Sequence, residues 1–130
     1  MKTTVCVNCR DVFRMLHPVP GFEDCRTWAL VAREEHLPFL WLQAVERPEV
    51  ALPVVDPEVF FPEYRPRLPA WLDRGDWALF CVVSRRCEGL GLNLAAPFAL
   101  CRTSRNGTQV VLDDPRYTVF HPLRRDGPRA

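Results

Sequence analysis

The sequence predicts an all-β fold: a small antiparallel barrel-like domain with one short helix. Three observations carry that expectation. Thirteen prolines against six glycines force stops all along the chain, which suits short strands better than long helices. Short runs rich in valine and aromatics recur, most clearly Trp77–Ser84. Asn106-Gly107 is the strongest hairpin signal, because both residues tolerate the positive backbone angles of a primed turn. Neither a repeat nor a low-complexity linker divides the chain, so residues 1–130 read as one domain with a frayed tail at 124–130. A chain of 130 residues is large enough to bury roughly two thirds of its unfolded surface.

Taken in order, Thr3–Val7 and Val12–Leu16 are short strands with Asn8–Asp11 between them. His17–Phe22 holds two prolines and a glycine, a clamped turn that delivers Phe22 to the core. Thr27–Ala32 is a strand with Trp28, Leu30 and Ala32 on one face, and Arg33–His36 is a polar loop. Phe39–Val45 and Val50–Val55 form an antiparallel hairpin around Pro48. Pro53 donates no ladder hydrogen bond, so the second run is an edge strand or bulges there. Leu68–Leu72 is the one helix, with Pro69 at its start and Gly75 at its end. After Trp77–Ser84, Arg85–Gly91 reads as a loop, and Leu92–Leu94 with Pro97–Cys101 as one interrupted strand. Gln109–Leu112 returns as its partner, and Tyr117, Val119 and Phe120 anchor the tail.

The stretch Leu37–Tyr64 organises the chain, and its last part is the candidate site. Pro57 and Pro62 forbid regular structure there, while Phe60, Phe61 and Tyr64 still demand burial or a partner. Phe60, Phe61 and Tyr64 are candidate apolar anchors for a partner, with Asp56 and Glu63 orienting it by polar contacts. Against this stands plain burial, worth ~1.5–3 kcal/mol per ring. In extended backbone the two adjacent phenylalanines point opposite ways, so at most one is core unless the segment is covered.

Charge and composition exclude several functions. The formal net charge is +1 with both signs interspersed, without the basic stripe of a nucleic-acid binder. No apolar run approaches the ~20 residues of a membrane helix, and no signal segment opens the chain, so the expected location is the cytoplasm. The three histidines stand apart, Glu34-Glu35 and Asp113-Asp114 read as solvated turns, and no nucleophile setting or phosphate loop is present. The chain therefore reads as a non-enzyme. Cys6 and Cys9 have the spacing of a zinc knuckle or a redox pair. No second short cysteine spacing completes it, and Cys81 and Cys101 lie in apolar strands as small hydrophobes, so no metal is assigned.

Pro20-Gly21-Phe22-Glu23, Pro38-Phe39-Leu40 with Leu42-Gln43, and Asp56-Pro57 followed by Phe60-Phe61-Pro62-Glu63-Tyr64 form an ordered set of motifs. Asn93-Leu94 with Ala96-Pro97, Arg105, Gly107, Gln109–Leu112, Tyr117 and His121-Pro122-Leu123 extend it, and together they resemble the motifs of the flagellar assembly factor FliW family in the same order. The resemblance covers about 100 residues, from Pro20 to Leu123; before Pro20 the match is poor. Asp56 stands where the family usually has Asn, and Cys101 where it commonly has Asn.

The resemblance implies a cytoplasmic barrel-like protein without cofactor or catalysis. It also implies binding to the translational regulator CsrA, relieving repression of flagellin synthesis, and binding to flagellin as the competing partner. A net charge of +1 disfavours imitation of RNA and favours docking beside the RNA site with an allosteric effect. The small fold and lack of heptads point to a monomer, and the charge balance and hydropathy point away from contact with nucleic acid or membrane. Two other classes are open: a small split barrel binding a flavin, which absorbance near 450 nm would reveal, and an adaptor stabilised by zinc at Cys6 and Cys9.

Overall fold

The computed structural model describes residues 11–73 and 76–123. The expected strand Thr3–Val7, the Cys6/Cys9 pair, the helix stop at Gly75 and the tail 124–130 lie outside the described residues. Nine strands are formed: β1 (Val12–Met15), β2 (Thr27–Ala32), β3 (Leu40–Ala44), β4 (Ala51–Val55), β5 (Trp77–Arg86), β6 (Gly89–Leu92), β7 (Phe98–Cys101), β8 (Asn106–Gln109) and β9 (His121–Pro122). One short helix, α1 (Ala70–Asp73), follows Pro69, and 3-10 turns occupy Glu34–His36 and Pro57–Val59. The expected polar loop at Arg33–His36 thus contains a turn of 3-10 helix.

The strands run in the order β4-β3-β2-β1-β8-β7-β5-β6-β9, and a β4–β5 pairing closes seven of them into an uneven ring. All described pairings are antiparallel except β1 with β8, which is parallel. The register fixes the two faces. Phe13 pairs with Trp28 and Trp28 with Ala44, while Val54 pairs with Val82 and Phe80 with Phe98. Side chains of paired residues share a face, so these point into the ring, where with Leu42 and Leu100 they form the first core. Inside it Gly107 lies opposite both Leu100 and Met15. A methyl at that position would stand 2.8 Å from Leu100 Cδ2 and 3.2 Å from the Met15 Sδ and Cε, so any larger residue would have to displace the packed ends of those two side chains.

The outer face carries a second core of Val55, Cys81, Val83 and Leu92, covered by Phe60, Tyr64 and Leu94. A third, smaller cluster joins Leu72 of α1 to Ala99 and Val110. The chain from Pro57 to Leu72 thus lies as a strap across the outside of the ring. Burial on both faces explains why β2, Thr27–Ala32, buries Trp28 inside and Ala29 and Val31 outside.

Four expectations are corrected. Arg85–Gly91 is not a loop: β5 runs to Arg86 and turns at Cys87-Glu88 into β6, with Gly89 at φ 120° where a side chain would be strained. The interrupted strand resolves into β6 and β7, which pair with opposite ends of β5. Asn106-Gly107 is not the turn: both residues belong to β8, and the turn is residues 102–105, with Arg105 at φ 65°. Close packing inside the ring, not turn geometry, demands Gly107. Val119 is 61% exposed and anchors nothing, whereas Tyr117 and Phe120 are partly buried.

The edge expected at Pro53 holds for half of β4. Ala44 N–H donates to Val50 O, so Trp41 and Pro53 form a non-hydrogen-bonded pair and the missing N–H points away from β3. On that other side β4 meets β5 at Val54–Val82 and Val55–Cys81 alone. Pro53 marks where the pairing stops.

Candidate partner-binding site

The strap begins with a local cap. Asp56 Oδ1 accepts the Glu58 N–H at 3.0 Å, Pro57 supplies a fixed backbone angle, and a single 3-10 turn forms over Pro57–Val59. Phe60 and Phe61 both donate their N–H to Pro57 O, at 3.2 and 2.8 Å, and Tyr64 N–H donates to Phe61 O at 2.9 Å. The backbone here is coiled rather than extended, so the two phenylalanines need not point opposite ways. Phe60, 8% exposed, stacks on Phe39 with centroids 5.8 Å apart. Phe61 is half-buried, its ring edge-on to His121 at 4.7 Å. Tyr64, 3% exposed, donates its hydroxyl to Leu94 O at 2.7 Å and packs edge-on against Tyr117 at 4.7 Å. Asp56 and Glu63 are exposed.

The five candidate residues therefore share one strap but not one surface. Asp56, Glu63 and part of Phe61 face outward; Phe60 and Tyr64 hold the strap to the ring. Burial pushes the Tyr64 hydroxyl far above its ordinary range, which keeps it a donor. Burial likewise pushes the adjoining Cys81 thiol up to about 12, so it stays protonated and inert.

Arg65 is a site residue that the sequence did not mark. Its guanidinium donates to Tyr64 O at 2.7 Å and Pro62 O at 3.1 Å and reaches Glu58 at 3.4 Å, while its N–H donates to Tyr117 Oη at 3.2 Å. Arg116, hydrogen-bonded to Asp114, also reaches Arg65 O at 3.4 Å. That hydrogen bond holds the Asp114 carboxyl down at about 2. The contacts with Tyr117 and Arg116 span 52 and 51 residues and those to Pro62 and Tyr64 are to irregular backbone, so no sequence spacing signals them.

Between the strap and the start of β5 lies an open cavity of about 430 Å³, walled by Asp56, Glu58, Arg65, Leu68, Trp77 and Leu79. Its chemistry is apolar floor and ionic rim. Among the described residues no group of three His, Cys, Asp or Glu is placed to hold a metal, and no helix is long and apolar enough to cross a membrane.

Comparison with known proteins is consistent throughout. A flagellar assembly factor FliW from Caldanaerobacter subterraneus subsp. tengcongensis is 31% identical, with 89% of this chain and 84% of that protein covered. Those of Thermotoga neapolitana and Moorella thermoacetica are 32% and 33% identical, covering 92% and 95% of this chain and 87% and 84% of theirs. A crystal structure of the flagellar assembly factor FliW superposes with a TM-score of 0.81 at 26% identity, covering 94% of this chain and 91% of that one. The name these relatives share is that of a flagellar assembly factor. The family model for FliW protein matches residues 1–123, and the chain belongs to the FliW family.

Proposed function

We propose that this protein is a cytoplasmic, monomeric, single-domain flagellar assembly factor that binds CsrA and allosterically antagonises its repression of flagellin synthesis, with flagellin as the competing partner. The observation that carries the proposal is the family match over residues 1–123. The strap supports it: an aromatic, proline-stiffened segment on the outside of a ring loses little conformational entropy on binding. Asp56, Phe61 and Glu63 make the contact, while Phe60 and Tyr64 anchor the strap from beneath. A net charge of +1 disfavours imitation of RNA, so the regulator is engaged beside its RNA site. One partner excludes the other because both need this outer face.

The test is capture from the cell extract with the tagged protein, followed by competition. CsrA and flagellin are each retained, and added flagellin releases CsrA. Phe61→Ala weakens capture of either partner about tenfold while far-ultraviolet circular dichroism is unchanged. Failure to retain either protein, or equal capture by Phe61→Ala, overturns the proposal.

A further inference from the structure

The connection from β2 to β3 is tied to the strand it enters by one side-chain hydrogen bond. His36 ends the 3-10 turn Glu34–His36; its N–H donates to Arg33 O and its carbonyl accepts the Phe39 N–H, each at 2.9 Å, so its backbone is fixed. Trp41 stands in β3 between Val31 of β2 and Pro53 of β4. The two rings meet edge-on with centroids 5.6 Å apart, and Trp41 Nε1 lies 3.0 Å from His36 Nδ1.

The chemistry of the two rings settles which one donates. An indole nitrogen only donates, so His36 Nδ1 carries no proton and the imidazole hydrogen sits on Nε2. An imidazolium donates from both nitrogens and accepts at neither. Protonation of His36 and this bond to Trp41 are therefore mutually exclusive.

The surroundings offer a charged ring little on its inner side. The Arg33 guanidinium lies 6.0 Å from the centre of the Trp41 ring, and its Nε is buried without a hydrogen-bond partner. Arg85 of β5 lines the groove of about 350 Å³ that both rings share, and no carboxylate lines it. The acidic groups of the turn itself, Glu34 and Glu35, are exposed. A proton added at Nδ1 thus faces a donor and arginines inward, and carboxylates only on the solvent side.

We propose that His36 is a pH-sensitive latch: neutral, it holds Trp41 against the 33–39 connection; protonated, it turns toward solvent, frees the indole and reshapes the groove the two rings line. The latch is separate from the strap and does not depend on the partners proposed above.

The test is nuclear magnetic resonance of the isotope-labelled full chain titrated from pH 8 to pH 5, the span over which histidine changes charge. At pH 8 the His36 ring carries its proton on Nε2, and the Trp41 indole proton, assigned by its loss in Trp41→Phe, resonates downfield as a bonded donor. On acidification that signal moves upfield with the midpoint of the His36 ring carbons, and the methyl signals of Val83 and Leu90 in the groove move with it. The Trp28 indole, which donates to Cys25 O at 3.1 Å, stays in place because the fold is intact. In His36→Phe, which cannot titrate, the Trp41 signal no longer follows pH. A proton on Nδ1 at pH 8, a Trp41 signal or groove methyls that stay fixed while His36 titrates, movement of Trp28 with the same midpoint, or a pH-dependent Trp41 signal in His36→Phe overturns the proposal.

Discussion

Replacing Tyr64 by Phe removes one oxygen atom and leaves the ring that packs against Tyr117. The hydroxyl donates to Leu94 O at 2.7 Å in a fully buried setting, so the substitution strands that carbonyl. Leaving a buried acceptor unpaired costs ~1–3 kcal/mol. Unfolding entropy near ~2.1 cal/mol/K per residue gives ~0.27 kcal/mol/K for a chain of 130 residues. The midpoint of thermal unfolding should therefore fall by about 4–11 °C. Differential scanning calorimetry of Tyr64→Phe beside the wild type is the assay. Because the hydroxyl is held as a donor by burial, the loss should be equal at pH 7 and pH 9. A midpoint within 1 °C of wild type would show that Tyr64 does not tie the strap to the 92–94 segment, and the account of the second core would fail.

Three further outcomes are expected. Glu46 accepts the Arg26 N–H at 3.1 Å and the Thr27 N–H at 3.2 Å; burial pushes its carboxyl up, but the hydrogen bonds from its own amide, Thr27 and Arg26 outweigh this and hold it below the ordinary 4.5. A lowered folded value gives stability that is complete above pH 4.5 and lost as the pH falls through the folded value; Glu46→Gln should remove that part of the acid limb of a midpoint-against-pH curve and leave the limb due to Asp114, between 3.8 and about 2. Gly107→Ala should destabilise by ~1–3 kcal/mol in urea titration, since its methyl has no space between Leu100 and Met15. In a variant with Cys6 and Cys9 both replaced by serine, a thiol-reactive dye should modify one cysteine quickly, the exposed Cys87, and reach the buried Cys25, Cys81 and Cys101 only on unfolding.

What the sequence disclosed follows from how locally each feature is determined. Thr27–Ala32, the hairpin around Pro48 and the strand beginning at Trp77 are runs whose residues state their own conformation, and the structure has them. Asn106-Gly107 misled because glycine has two uses. Turn chemistry suggested a free backbone angle, whereas the ring needed the absence of a side chain. Cys87-Glu88 turns a hairpin without any turn signature beyond the Gly89 that follows, so its strands read as a loop. Pro53 correctly marked a limit to pairing, but the two residues after it close the ring, a long-range fact that no window of sequence contains. The strap was legible as aromatic and stiff. That Phe60 and Tyr64 turn inward while Phe61 stays half-exposed depends on a 3-10 turn set by Asp56 and Pro57, and extended-chain alternation does not describe it.

The parallel pairing of β1 with β8 carries a consequence for synthesis on the ribosome. Arg14 sits opposite Asn106 and Met15 opposite Gly107, so among the described residues the outer margin of the β1–β2 pair stays bare until the last fifth of the polypeptide begins to emerge. Nascent chains halted before that point hold an adhesive border. Closure joins segments far apart in sequence, which is slow relative to local pairing. Truncation shortly before Asn106 should therefore yield material that clumps rather than a smaller working version of the protein.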